Sequence, residues 1–271
     1  MSKSKDPKVS DSDNPSEIWS FFPSHIIECL KNLESIVLVD LPSPEIIFQL
    51  QELNVEESHM APILDQLWEL NLSNLPKLMH IWKKSPKRIM GFGNLRLLDV
   101  WGCNSLTYLF SPSIAKLLVM LEKIEVSHCE KIEEILARAG EEEKEKDVLF
   151  DKVNSIFLCN LPNLKCFCSE TNALEWPSLE KITVVECRSL STFIPSNLNT
   201  PKLEGVYNAL SWEEIRKFRW KPKLEGVYDT LSWEEKRTCH WKGDLNATIE
   251  HIFKGKVWHI LTTNISLMGE F

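Results

Sequence analysis

Apolar residues recur along this chain with one spacing. In Leu95 to Phe110, LRLLDVWGCNSLTYLF, they fall at Leu95, Leu98 and Val100, then at Cys103, Leu106 and Leu109. Leu98 and Val100, two residues apart, share one face of an extended segment, so the pattern predicts a short strand. A tight turn carrying Cys follows, and then a return of the chain. The spacing repeats at Leu121, Ile124, Val126, Cys129, Ile132 and Ile135, and at Leu179, Ile182, Val184, Cys187, Leu190 and Phe193. Two copies carry Leu in place of the turn Cys. They are Leu67, Leu70, Leu72, Leu75, Leu78 and Ile81, and Val153, Ile156, Leu158, Leu161, Leu164 and Phe167. The copies start at 67, 95, 121, 153 and 179, at intervals of 28, 26, 32 and 26 residues.

One such unit cannot bury its own apolar face, but stacked units share a continuous core. The pattern is that of a leucine-rich repeat. The expected fold is therefore an α/β solenoid, a horseshoe with short parallel strands on the concave face and irregular or short helical returns. Residues 1–17, rich in Ser, Lys, Asp and Pro, read as a disordered segment. Residues 18–200 read as the solenoid. Its first repeat starts at Leu33, Ile36, Leu38 and Leu41, with a return broken by Pro42 and Pro44, and a fragment Leu50, Leu53 and Val55 follows. Ile132, Ile135 and Leu136 in EKIEEILARA suggest a short helix before the acidic insertion Ala139 to Asp147. That insertion reads either as a solvated loop or as a regulatory acidic contact. Residues 201–221 and 222–242 agree at fifteen of twenty-one positions, a tandem duplication. Thr248 to Lys254 reads as a helix with Ile249, Ile252 and Phe253 on one face, so 201–271 is expected to end in a capping helix.

Composition narrows the function. The 271 residues are 43% hydrophobic, and the formal net charge is -8. Acid and base are interspersed, which argues against a nucleic-acid ligand. No apolar run approaches the ~20 residues needed to span a bilayer. No signal peptide is evident at the start, so the eight cysteines are expected as reduced thiols. Cys103, Cys129 and Cys187 have a structural use, as small buried side chains whose S–H serves the turn backbone. Sequons begin at Asn71, Asn246 and Asn264 and carry little meaning without secretion.

Longer stretches are more specific than the repeat. FPSHIIECLKNLESI, LNVEES, LPKLMHIWKKSP, the run from NLRLLDVWGC to LEKIEVSHCEKIEEI, TPKLEGVY and WKGDLNATI resemble plant intracellular immune receptors. The resemblance is to the leucine-rich-repeat region of the coiled-coil NBS-LRR class, over roughly residues 20–260. It implies a cytoplasmic, sensor or autoinhibitory recognition module in plant defence. The implied partners are a pathogen effector, a guarded host protein or the receptor's nucleotide-binding domain. A P-loop, G-x-x-x-x-G-K-[ST], is absent from these residues, so the nucleotide-binding module is expected to be missing.

No catalytic constellation stands out, and no enzyme activity, cofactor or metal is expected. Cys159, Cys166 and Cys168 lack a second pair at zinc spacing, and the cysteines flanking Phe167 should point away from it. His25, His80 and His128 lack a triad partner. Glu213-Glu214 and Glu234-Glu235, and Trp212, Trp220, Trp233 and Trp241, recur through the duplication and read as packing or surface residues. What remains is the concave face, where the residues between the inward leucines point outward. These are Glu69, Asn71 and Ser73; Leu97, Asp99 and Trp101; Lys123, Glu125 and Ser127; Ser155, Phe157 and Cys159; and Lys181, Thr183 and Val185. Leu97, Trp101 and Phe157 are the large apolar members and mark the expected protein-binding patch, unless a neighbouring strand or the inserted loop covers them. The alternatives are an adaptor solenoid with no immune role and a substrate receptor of a ubiquitin ligase.

Overall fold

The computed structural model describes residues 19–50 except 28, 64–83, 91–138, 150–169, 176–195, 198–208 and 238–254. The expectations placed on 1–17, on the acidic insertion, on the fragment at Leu53 and Val55 and on most of the duplication lie outside these residues.

The described chain opens with β1 (Ser20–Phe22) and one turn of helix, α1 (Ser24–Ile27). It then alternates between two sheets through β2 (Ser35–Val39), β3 (Ile46–Gln49), β4 (Glu69–Ser73), β5 (His80–Lys83) and β6 (Leu97–Trp101). After the short α2 (Pro112–Ala115) come β7 (Lys123–Ser127), β8 (Glu134–Leu136), β9 (Ser155–Cys159), β10 (Cys166–Cys168) and β11 (Lys181–Val185). β12 (Val206–Asn208), β13 (Thr238–His240) and the helix α3 (Leu245–Lys254) close the described chain.

One strand from each repeat enters a single sheet, ordered β13-β12-β11-β9-β7-β6-β4-β2 and parallel except for β13. Residues at the same repeat position stand opposite one another throughout, as in Leu70↔Leu98 and Leu98↔Ile124. This is the leucine-rich-repeat solenoid that the spacing predicts. All thirty repeat positions from Leu67 to Phe193 named above are at most 2% exposed. Inward residues of neighbouring strands, about 4.8 Å apart, form one continuous core.

The turn after each of these strands has a fixed shape. Asp40, Asn74, Gly102, His128, Asn160 and Glu186 have φ of 55°, 55°, 65°, 57°, 50° and 53°. There the backbone turns so that the N–H of Asn74 reaches the carbonyl of Trp101, that of Gly102 reaches Ser127, and that of His128 reaches Cys159. Gly, Asn, Asp and His are the residues favoured in this left-handed region; Glu186 is not one of them. The following thiols act as expected. Cys103, Cys129 and Cys187 donate to the carbonyls of Trp101, Ser127 and Val185 at 3.6, 3.3 and 3.4 Å. Burial pushes the Cys187 thiol up to about 12 and raises Cys129 as well, which keeps both protonated donors.

The returns differ in detail from the expectation. Short strands form there, in the parallel sets β1-β3-β5 and β8-β10, with a bridge from Phe110 to Leu136. Ile135 and Leu136 therefore lie in strand β8, not in a helix. Glu134 and Leu136 pair with Cys166 and Cys168, and this ladder overrides the helix-like spacing of EKIEEI. The first return is also whole. Residue Pro44 is buried at the place of a repeat leucine, and β3 follows it and pairs with both β1 and β5. Cys168 is buried in the main core and does not point away from it.

Sequence reading missed an aromatic spine behind these returns. Phe22, Phe48, Trp82, Phe110, Phe150, Phe167 and Phe193 succeed one another with ring centroids 5.5, 6.1, 5.9, 5.3, 6.2 and 5.2 Å apart. Each such pair adds about 0.5–1.5 kcal/mol beyond area burial, so the stack ties every repeat to the next. At the far end, α3 starts on Asp244, whose carboxylate accepts from the Ala247 N–H at 2.8 Å. Asn246 accepts from the Phe193 and Ile194 N–H groups at 2.9 and 3.2 Å and donates to the Ile194 carbonyl. Ile249 and Ile252 are fully buried beneath the helix.

Candidate functional site

The strand register sorts the outward side chains of the concave sheet into three rows. Ser35, Glu69, Leu97, Lys123, Ser155 and Lys181 form the first. Val37, Asn71, Asp99, Glu125, Phe157, Thr183 and Tyr207 form the second. Val39, Ser73, Trp101, Ser127, Cys159 and Val185 form the third, beside the left-handed turns. The structure thus gathers the expected residues onto one face, in the expected register.

Their exposure divides that face in two. From β2 to β6 the pattern alternates cleanly, and Glu69, Asn71, Ser73, Leu97, Asp99 and Trp101 are half-buried while Val37 and Val39 stand 56% and 48% exposed. On β7, Lys123 is exposed and Glu125 half-buried, but Ser127 is fully buried. Beyond it the alternation ends. Ser155 and Lys181 stay half-buried, whereas Phe157 is 9% exposed, Thr183 2%, and Cys159 and Val185 0%. Phe157 and Thr183 are therefore not solvent-facing. Phe157, Cys159 and Val185 pack together as a small second core on the concave side. The cause is chemical. In the third row Cys159 and Val185 stand side by side, and Phe157 of the second row packs on them.

Hydrogen bonds hold the open half in shape. Ser35 donates to the Glu69 carboxylate at 2.9 Å, Ser73 donates to the Asn71 amide oxygen at 3.0 Å, and Asn71 donates to Asp99 at 3.5 Å. Trp101 lies 5.7 Å from the His128 ring, which fixes its edge against the turn. In the other half the Lys181 ammonium sits 5.8 Å above the Tyr207 ring. The open half therefore offers a rigid surface of one aromatic, one leucine and two valines among carboxylates and amides.

The remaining candidates are spread out. Cys159 lies on the concave sheet, while Cys166 and Cys168 are on β10 in the return. Burial and the Glu134 carboxylate push the Cys166 thiol up to about 11. Among the described residues no three His, Cys, Asp or Glu side chains converge on one point, and all eight cysteines are free thiols. His80 packs 5.7 Å from the Tyr108 ring on the return side, and burial lowers its pKa. Trp241 is exposed; Trp212, Trp220, Trp233 and the paired glutamates lie outside the described residues. Among the described residues no helix is long and apolar enough to cross a membrane.

Known proteins resemble the chain in the same terms. Residues 8–130 and 120–204 match the family described as plant disease resistance protein RPS2-like, leucine-rich repeats. The chain is 31% identical over 147 residues to the putative disease resistance protein At4g19050 of Arabidopsis thaliana, covering 54% of this chain and 10% of that protein. It is 32% identical over 159 residues to the probable disease resistance protein At4g27220 of the same plant, covering 57% of this chain and 16% of that one. The chain thus spans a small part of the length of these curated relatives. No solved structure matches it.

Proposed function

Because the chain belongs to the RPS2-like leucine-rich-repeat family of plant disease resistance proteins, we propose that its concave sheet recognises another protein in plant immunity. The recognition surface is the open half from β2 to β7, with Leu97, Asp99 and Trp101 at its centre. The observation that carries this reading is the exposure pattern: among the described residues, the outward side chains of β2, β4 and β6 reach solvent in all three rows, as a contiguous polar and apolar mixture. Aromatic side chains set in such a rim commonly dominate binding between proteins. In this reading the module works inside the cell without catalysis, as the sensing or restraining part of an immune receptor. The helix α3 serves as its C-terminal cap. Its partner is a pathogen effector, a guarded host protein or a receptor nucleotide-binding domain.

Photocrosslinking tests the reading. A benzoylphenylalanine is placed at Asp99 in one preparation and at Thr183 in another, and each is irradiated in leaf extract. The expected result is a protein adduct from position 99, none from 183, and loss of the adduct on adding Trp101→Ala. Adducts of equal yield from both positions, or none from 99, would refute it. Adducts consisting of cullin-complex components would favour the ubiquitin-ligase alternative.

A further inference from the structure

The strand β13 and the cap helix α3 join the solenoid through one antiparallel pairing. Val206 of β12 stands opposite His240 of β13, and Tyr207 opposite Cys239. Residues opposite one another in such a pair share a face of the sheet. Val206 is fully buried in the core, so the His240 ring points inward, while the exposed Cys239 points to the concave side. The two strands seat closely. A Cβ on Gly205 would stand 2.9 Å from the His240 carbonyl oxygen and 2.7 Å from the Cys239 thiol.

At the inward positions of β2, β4, β6, β7, β9 and β11 every residue is Ile, Leu or Val. β13 places an imidazole there instead. The His240 ring is half-buried, and its Nε2 is buried with no hydrogen-bond partner among the described residues. It lies 6.0 Å from the ring of His251 on α3, tilted by 60°. The two histidines thus meet across the junction between strand and helix. β12 sets the apolar Val206 against His240, and its flanking Lys202 and Glu204 are exposed. From α3 comes His251. The carboxylates there, Asp244 and Glu250, are exposed, and Asp244 accepts from the Ala247 N–H. The turn between β13 and α3 adds Lys242. Burial, then His251, then Lys242 hold the His240 pKa below its ordinary 6.5. A proton on the docked ring is therefore a half-buried charge beside cationic neighbours.

We propose that the contact between His240 and His251 is an acid-sensitive latch on the end of the solenoid. At neutral pH the His240 ring packs uncharged, β13 stays on β12, and α3 covers the core. In acid the ring binds a proton more readily once β13 has left β12, so acid favours the undocked form. The docked form keeps its full stability above pH 6.5 and loses it as the pH falls from 6.5 toward the lowered value. Undocking uncovers Val206, Ile249 and Ile252, all fully buried when the latch is closed. The latch is separate from the concave surface and stands whether or not Trp101 binds anything.

Hydrogen–deuterium exchange of the full chain, read by mass spectrometry and corrected for intrinsic exchange rates, tests the latch. Between pH 6.5 and about 5.5, protection of peptides from β13 and α3 should fall about threefold to tenfold, tenfold being the limit for one proton over one pH unit. Peptides from β6 and β7 should hold theirs. His240→Leu, which restores the residue type of the other inward positions, should make the protection of β13 and α3 independent of pH over this range. His251→Gln, which removes one of the two repelling partners, should reduce the fall without abolishing it. No fall in the native chain, an equal fall in His240→Leu, or a parallel loss of protection in β6 and β7 would overturn the proposal. A fall in His251→Gln as steep as the native one would overturn it too, and decides the matter if His240→Leu does not fold.

Discussion

Asn71, Asp99 and Glu125 share a row with Phe157 and Thr183, in register on one side of one sheet, yet the first three reach solvent and the last two do not. Position in the repeat fixes which way a side chain points. Whether it meets water depends on the side chains one strand away, and there the two halves diverge. β4 and β6 carry polar groups that hydrogen-bond along the row, whereas β9 and β11 carry Phe157, Cys159 and Val185, which pack on one another. One half is left open for recognition, and the other thickens the solenoid.

The largest effects should separate inward from outward positions in the open half. Leu98→Ala or Ile124→Ala should lose roughly 2–5 kcal/mol in denaturant melts, from lost burial plus a residual cavity. Asp99→Ala, one residue from Leu98, should stay within about 0.5 kcal/mol. Equal losses at both kinds of site would mean that the register is wrong.

The closed half should break that rule at an outward position. Phe157→Ala should lose about 3 kcal/mol, because Phe157 is a core residue in all but direction. A loss below about 1 kcal/mol, as for an exposed side chain, would make the two halves alike after all.

Alkaline pH probes the buried turn thiols through Cys187, whose thiol rises from 9.0 to about 12 on burial. A raised folded pKa means that the folded chain holds its proton longer than the unfolded one. The stabilisation is therefore complete below pH 9 and falls as pH rises from 9 toward 12, by about 1.4 kcal/mol per pH unit for one thiol. Melts between pH 8 and 11 should show this decline in the native chain and a shallower one in Cys187→Ala. An identical slope in both would assign the decline to other groups.

The smallest effect concerns the turns. Glu186 holds φ of 53°, which Asn adopts more readily, so Glu186→Asn should stabilise by about 0.5–1 kcal/mol. The same turn in the open half already has Asn74, and Asn74→Glu should reverse the sign. Melting temperatures of the two variants check the pair.

Much of this was readable before any coordinates. Leu, Ile and Val at i and i+2 gave the strands, the thiols after them gave the turns, and Ile249 and Ile252 gave the last helix. The return strands were hidden because buried residues there are consecutive, as in Ile81-Trp82 and Ile135-Leu136, which fits neither a helical nor an alternating period. The aromatic spine was missed for the same reason, since its members change position between Phe110 and Phe167. The burial of Phe157 was out of reach because it depends on Val185, 28 residues away, through a register that only the stacked repeats define.

Thiol accessibility tests the division of the concave face most directly. Asp99→Cys and Thr183→Cys are treated with iodoacetamide under native conditions, and each site is followed by mass spectrometry against the exposed Cys29 and the buried Cys159. The prediction is that Cys at position 99 reacts within about tenfold of the Cys29 rate, while position 183 stays unmodified with Cys159 until the protein is denatured. Modification at 183 as fast as at 99 would contradict it, and the recognition surface could then no longer be confined to the strands from β2 to β7.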